Sequence, residues 1–317
     1  GGIRRSPDIC VIELGGTVGD IESMPFLEAI RELQLQVGRE NVLVVHVSLI
    51  PEIGGEQKTK PTQHSVQKMR EIGIYPDVLV ARSKTELTQG ARMKLSSFCH
   101  VSPEHIIAMP DLNNIYHIPH MLVKQGLHRK LSDQLKLRMG PLDRSLLNQW
   151  IITARNIDNL KDKVYIALVG KYTRGSDTYH SVVKALLHAS VASKQKLEIL
   201  WIDSTHLEQT NPDTMTPEAE EAWRRLKMAD GLVVPGGFGQ RALEGMINAI
   251  TYARTNRVPF LGICLGMQLA VIEYARSVLG RPRAFSTEFH PNLAERDRAV
   301  IFMPEGDVKK MGGTMRL

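Results

Sequence analysis

The chain has 317 residues, 43% of them apolar and 23% charged, which is the balance of a folded protein with a buried core and excludes a disordered chain, a collagen-like repeat and a coiled coil. No apolar run approaches the roughly 20 residues that a membrane-spanning helix needs, and no basic-then-apolar leader opens the sequence. The net charge of +6 comes from 40 dispersed Lys and Arg with only 5% aromatic residues, a pattern that suits small anions such as phosphates and disfavours nucleic acid as a partner.

The first half alternates strands with helices. Apolar, β-branched runs at Ile9–Ile12, Val42–Val47, Val78–Val80 and Ile106–Ala108 predict strands, and the segments 24–37, 62–72, 88–98 and 118–135 between and after them predict helices. Near-continuous apolar strands imply burial on both faces, as in a parallel sheet covered by helices. The first helix is well signalled: Ser23 can cap it, Pro25 suits its first turn, Phe26, Leu27, Ile30, Leu33 and Val37 recur at helical spacing, and Gly38 can end it. From 141 to 163 the rhythm fails, and Pro141, Asp143, Asn148 and the polar run 156–163 read as a linker with a short helix around 145–152. A second series follows, with strands at Val164–Val169, Leu197–Ile202, Gly231–Val234 and Pro259–Ile263 and helices near 177–192, 217–228, 241–255 and 266–278. The fold class expected is α/β, with two doubly wound domains of mainly parallel sheet at 1–140 and 164–317.

Three cysteines, Cys10, Cys99 and Cys264, are too few for a disulfide framework and imply a reducing, cytoplasmic setting. Cys10 within a strand and Cys99 at the end of an amphipathic helix have the contexts of packed thiols. Cys264 differs, because Pro259-Phe-Leu-Gly262-Ile-Cys264-Leu-Gly266-Met-Gln268 is an apolar strand running into Gly-x-Cys-x-Gly and then a helix former. That is the thiol version of a nucleophile elbow, where glycines permit a sharp turn and the helix start favours a thiolate. One βα unit earlier, Leu232-Val-Val-Pro235-Gly236-Gly237-Phe238-Gly239 is a strand entering a glycine loop that could build an oxyanion hole with the amide of Leu265.

Two further stretches carry charge in telling places. Glu13 closes the run 9–13 and precedes a glycine-rich loop and the acids Asp20 and Glu22, so it could hold Mg²⁺ beside a nucleotide triphosphate. Read alone, it would be an ordinary strand-end charge. Lys58-Thr59-Lys60-Pro61-Thr62-Gln63 sets two ammonium groups against a helix start, an arrangement suited to anions.

The elbow and glycine loop resemble the class I glutamine amidotransferase family, in which the cysteine attacks the glutamine side-chain amide and ammonia is released. Together with the first half, the chain resembles the CTP synthase family. The resemblance implies glutamine contacts at Gly237, Leu265, Gly266, Met267, Gln268, Glu288 and Arg316, with Glu288 on the α-ammonium and Arg316 on the α-carboxylate. It implies UTP and CTP contacts at Asp20, Ile21, Glu22, Lys58 to Gln63 and Lys94, ATP contacts at Asp111 and Leu112, and Mg²⁺ at Glu13. Its further implications are ATP, UTP, CTP and glutamine as ligands, GTP as effector, and a homotetramer able to form filaments. Three departures stand out. The chain opens Gly-Gly-Ile without Met, no Gly-x-x-x-x-Gly-Lys-Ser/Thr loop occurs, and the family's His-Pro-Glu string beyond Gly-Gly-Thr-Met-Arg316 is not present. The expectation is a piece of a longer enzyme that is inactive alone. His290-Pro291-Asn292 looks like the missing string but follows the Glu288 segment directly, and His290 reads as a surface-loop residue. The rival readings are an amidotransferase partner of another synthetase, a γ-glutamyl hydrolase, or a catalytically incomplete chain that serves assembly only.

Overall fold

The computed structural model describes residues 7–137, 140, 143–171 and 178–302. The chain divides into two compact units, Gly1–Asp158 and Asn159–Leu317. No helix among the described residues is long and apolar enough to cross a membrane.

The first unit opens with α1 (Met24–Val37), then β1 (Val45–Ile50), a short antiparallel hairpin of β2 (Glu52–Ile53) and β3 (Glu56–Gln57), and α2 (Lys60–Glu71). It continues through β4 (Val78–Ser83), α3 (Gln89–Cys99), β5 (Ile106–Pro110), α4 (Ile118–Lys124), α5 (Leu127–Gln134) and α6 (Arg144–Asp158). Its sheet has the order β1-β4-β5, all parallel. Apolar clusters cover it on both sides: Ile50, Val66, Leu79, Leu95 and Ile106 on one, and Val78, Val80, Ile107 and Met109 on the other. That double burial is why β4 and β5 read as continuous apolar runs.

Three expectations change here. Ile9–Ile12 is not a strand: among the described residues it pairs with nothing, Val11 is 89% exposed, and Cys10 is exposed with it. A β-branched run has the propensity for a strand, but a ladder also requires a neighbour to pair with. The single helix expected over 118–135 is two, because Gly126 turns to φ 74° between α4 and α5. There the Gln125 side chain both accepts from the Ala108 amide (2.9 Å) and donates to its carbonyl (2.8 Å), completing the edge of β5 as a strand would. The short helix expected around 145–152 runs on to Asp158 and packs on the first unit. Buried Asn114 donates to the Ala154 carbonyl (3.0 Å) and to Asp158 (2.8 Å), His117 meets Asp158 at 2.6 Å, and Tyr116 stacks on Trp150.

The second unit comprises β6 (Lys163–Gly170), α7 (His180–Ala192), β7 (Lys196–Asp203), α8 (Pro217–Lys227), β8 (Gly231–Val234), α9 (Leu243–Asn256), β9 (Phe260–Gly262), α10 (Leu265–Ser277), β10 (Phe285–Ser286) and β11 (Arg298–Val300). Its main sheet is parallel in the order β7-β6-β8-β9, and β10 and β11 form a separate parallel pair. One core joins the sheet to α8, α9 and α10 through Val169, Ile202, Leu226, Val234, Met246 and Leu269. Within it, Glu273 on α10 is buried and takes a two-pronged hydrogen bond from Arg254 on α9 at 2.9–3.0 Å.

Helix α9 lies so close to the turn Ser204–Glu208 that a methyl group on Gly245 would meet the Ser204 carbonyl oxygen at 1.8 Å. Glycine to alanine inside a helix ordinarily gains up to about 1 kcal/mol. At this position the overlap reverses the sign, and Gly245→Ala lowers stability by about 1–3 kcal/mol in urea unfolding. A gain would contradict this packing.

Candidate active site

Because the second sheet is parallel, the carboxyl ends of β6, β8 and β9 lie side by side, the place where open α/β sheets bind ligands. Val234 pairs with Gly262, and the Ile263 amide extends the ladder by donating to the Val234 carbonyl at 2.9 Å. The next residue, Cys264, adopts φ 53° and ψ −106° and stands exposed immediately before α10. Its sulfur thus faces solvent at a helix start, where the leading amides lack intrahelical partners.

As expected, the chain turns sharply between the two flanking glycines and the strained conformation falls on the cysteine. Neither takes a positive φ; Cys264 itself does. What Gly262 and Gly266 supply is the absence of a side chain: a methyl on Gly262 would lie 2.6 Å from the Gly266 carbonyl carbon, and one on Gly266 would lie 2.0 Å from the Val234 carbonyl oxygen. Gly236 faces the cysteine in the same way, its missing methyl 3.4 Å from Cys264 Cβ and 3.8 Å from Sγ. Gly237 abuts the Leu265 side chain, Met267 is exposed and Gln268 half-buried.

Three residues at this loop escaped the sequence reading. Lys171, directly after β6, is only 2% exposed; its Nζ donates to the Phe238 carbonyl at 3.2 Å and to that of Gly239. The Arg241 guanidinium in turn donates to the Lys171 carbonyl. Gln240 Nε2 donates to the Phe289 carbonyl at 2.8 Å, bringing the Glu288 segment to the glycine loop. Burial holds the Lys171 ammonium below the usual lysine range, with Arg241 adding to the effect and Glu288 opposing it. A charged residue at the end of an otherwise apolar strand is the one signal that could have pointed to Lys171. Glu288 is exposed, and its backbone amide donates to the Ser286 hydroxyl oxygen at 3.2 Å. His290 packs its ring on Phe285 at 4.8 Å. Among the described residues no hydrogen bond reaches Cys264 Sγ from His290 or any other side chain. Arg316 lies outside the described residues.

In the first unit the segments after β1, β4 and β5 likewise share one end of a parallel sheet. Lys58 follows the hairpin and reaches Glu56 at 2.5 Å, while Lys60 begins α2 and is exposed. Lys94, exposed on α3, belongs to the same neighbourhood: Lys58 first and then Lys94 hold the Glu56 carboxyl below its ordinary range. Thr59 precedes α2 and takes the Gln63 amide at 3.0 Å, and Pro61 occupies the first turn. Thr62 is fully buried, its hydroxyl 2.8 Å from that of Ser48 on β1. Gln57, also missed, fastens the hairpin to the segment after β4 by donating to Glu86 O (2.9 Å) and accepting from the Thr88 amide (2.9 Å). Asp111 and Leu112 leave β5 at the same sheet end, the Asp111 amide bonded to Ser83 O at 2.8 Å.

Asp20, Ile21 and Glu22 are exposed and share no hydrogen bond or ion pair with the 58–63 segment among the described residues; Gly19 instead lies beside Lys68, two turns further along α2. Glu13 is exposed, and the described residues hold no cluster of three His, Cys, Asp or Glu placed for a metal.

The elbow and glycine loop on a parallel sheet define a thiol amidotransferase architecture, and the sequence comparisons agree. Residues 176–317 match the family model for class-I glutamine amidotransferases, and residues 2–137 match that for the CTP synthase N-terminus. CTP synthase 2 of Saccharomyces cerevisiae is 49% identical over 98% of this chain and 55% of its own length. CTP synthase 1-A of Xenopus laevis is 50% identical over 98% and 53%. Among solved structures, the glutaminase domain of Trypanosoma brucei CTPS with bound acivicin is 43% identical, covering 41% of this chain and 47% of that one, with a TM-score of 0.36. The chain belongs to the CTP synthase family, and it spans about half the length of these curated relatives.

The three thiols are expected to separate by reactivity. Burial pushes Cys99 up to about 11, so it stays protonated and shielded at neutral pH. Peptide mapping after brief alkylation of the native protein at pH 7.5 should recover Cys264 modified and Cys99 intact. A glutamine-like electrophile should favour Cys264 over Cys10, which is also exposed. Equal labelling of those two by that reagent would count against an activated elbow.

Proposed function

We propose that this protein serves the glutamine-dependent amination of UTP to CTP, and the observation that carries the reading is the exposed Cys264 at φ 53° beside the glycine loop. The Cys264 thiolate adds to the carboxamide carbon of glutamine, with the developing oxyanion facing the amides of the 236–239 loop and Leu265. Expulsion of ammonia leaves a glutamyl thioester, which water hydrolyses to glutamate and the free thiol. Glu288 suits the α-ammonium of glutamine by charge, and Arg316 its α-carboxylate.

The second part of the reading belongs to the first unit. ATP transfers a phosphoryl group to the uracil 4-oxygen of UTP, ammonia adds at that carbon, and phosphate leaves. Lys58, Lys60 and Lys94 supply the cationic surface for the triphosphate, supported by their place at the carboxyl end of β1-β4-β5. Thr59 and Gln63 frame the α2 start, and Asp111 and Leu112 border the ATP base. Asp20, Ile21 and Glu22 complete the UTP and CTP contacts by resemblance alone. GTP as effector and the tetramer rest on the same resemblance, and the cytoplasmic setting on the three cysteines.

In the full-length protein, Lys60→Ala should weaken UTP binding by about 1–3 kcal/mol, the scale of a charged hydrogen bond, while glutamine hydrolysis persists. Unchanged calorimetric affinity would remove Lys60 from the site. Cys264→Ala should abolish CTP formation from glutamine and preserve it from ammonia, followed by absorbance; loss of both would refute the division of labour. The 317-residue chain by itself should form no CTP from either nitrogen source, since its described residues offer the thiol no general base and the sequence holds no Gly-Lys phosphate loop.

A further inference from the structure

A lysine buried without a carboxylate partner is expensive, because its ammonium gives up water that carbonyl groups replace only in part. Lys171 is in that position: it is 2% exposed, and among the described residues it forms no ion pair. Its hydrogen bonds go to two main-chain carbonyls, those of Phe238 and Gly239. Both belong to the loop that leaves β8, whereas Lys171 leaves the adjacent strand β6, so the ammonium ties one strand's end to its neighbour's loop. The tie is reciprocal, since Arg241 at the far end of that loop donates to the Lys171 carbonyl. The lysine stem also lies under the loop, its Cδ 3.9 Å from where a Gly237 side chain would begin.

The loop so held is the one that faces the thiol, Gly236 standing 3.4 Å from Cys264 Cβ by the same measure. Apart from these contacts it has little to fix it. Gly236, Gly237 and Gly239 contribute no side chains, and Phe238 is exposed. We infer that Lys171 is a positioning residue for amide transfer: it fixes the Gly236–Gly239 loop against Cys264, so that main-chain amides meet the oxyanion of the glutamine-derived intermediate. The inference rests on the reading of Cys264 as the glutamine nucleophile and goes beyond it by naming what holds the oxyanion side of the site.

The test uses two reagents on the same thiol. In 6-diazo-5-oxo-L-norleucine the carbonyl beside the reacting carbon occupies the place of the glutamine amide carbonyl and needs the loop. Iodoacetamide alkylates by simple displacement of iodide and does not. Labelling of Cys264 is followed by mass spectrometry in the wild-type chain and in Lys171→Met and Lys171→Gln. The diazoketone should react about 10- to 100-fold more slowly with Lys171→Met, the range that follows from misplacing a reacting group by about an ångström. Lys171→Gln, which keeps a neutral donor, should fall in between, and iodoacetamide should react alike with all three. In the full-length protein the same variants should lower kcat for glutamine hydrolysis more than they raise KM.

Equal diazoketone rates in wild type and variants would overturn the positioning role while leaving the nucleophile intact. Failure of the wild-type thiol to react with the diazoketone would overturn the glutamine reading, and this inference with it. A parallel loss with both reagents would show that Lys171 supports the fold alone. If circular dichroism shows Lys171→Met unfolded, the comparison is made with Lys171→Gln.

Discussion

The contact on which the second unit depends is the approach of the first turn of α10 to the carbonyl of Val234, so close that residue 266 can carry no side chain. With the helix start pressed onto β8, the chain has two residues, Ile263 and Cys264, in which to turn from β9 into α10. The turn imposes a positive φ on the second of them, Cys264. A non-glycine residue in such a conformation costs of the order of 1–3 kcal/mol, which the apolar core beneath must offset. The position of the sulfur is therefore a product of packing, and the thiol needs no loop motion to become accessible.

Both units gather candidate residues at the carboxyl ends of parallel strands, but the two ends differ in electrostatics. In the first, the cations Lys58, Lys60 and Lys94 are solvated or half-buried, and the carboxylate between them, Glu56, is exposed. Such charges attract a polyanion through their number and are screened by salt. In the second, the Lys171 ammonium at the loop is almost fully withdrawn from water and directed at backbone carbonyls. A solvated charge of the first kind recruits ligand, whereas the withdrawn one shapes the protein.

How much of this could be read in advance follows from the range of each interaction. The strands from Val78 onward, the alternation with helices and the elbow itself were visible, since each depends on neighbours in sequence: apolar runs, Gly-x-Cys-x-Gly, a helix former behind. Ile9–Ile12 misled because strand propensity is local and pairing is not. The break at Gly126 was hidden by apolar residues that continue at helical spacing on either side of it. Gln57 and Gln240 could not be found by pattern, because each acts on a segment 29 or 49 residues away in the chain. Lys171 showed only as a charge closing an apolar strand, and the loop it holds lies 68 residues on. The glycines of the elbow were recognised as permitting a sharp turn, and the structure adds that they do so by lacking a Cβ.

Helix α6 bears on where the polypeptide can be divided. The rhythm of strands and helices stops near residue 137, which invites a cut there, yet the fifteen residues of α6 stay fastened to the first unit through the Asn114 amide and the Asp158 carboxylate. A fragment ending at 140 would leave a buried amide with no acceptor and strip Trp150 from Tyr116. The seam between the units lies one helix later, after Asp158, where the next strand begins within five residues. A helix that looks like connecting thread in the sequence is thus part of the first unit's outer wall.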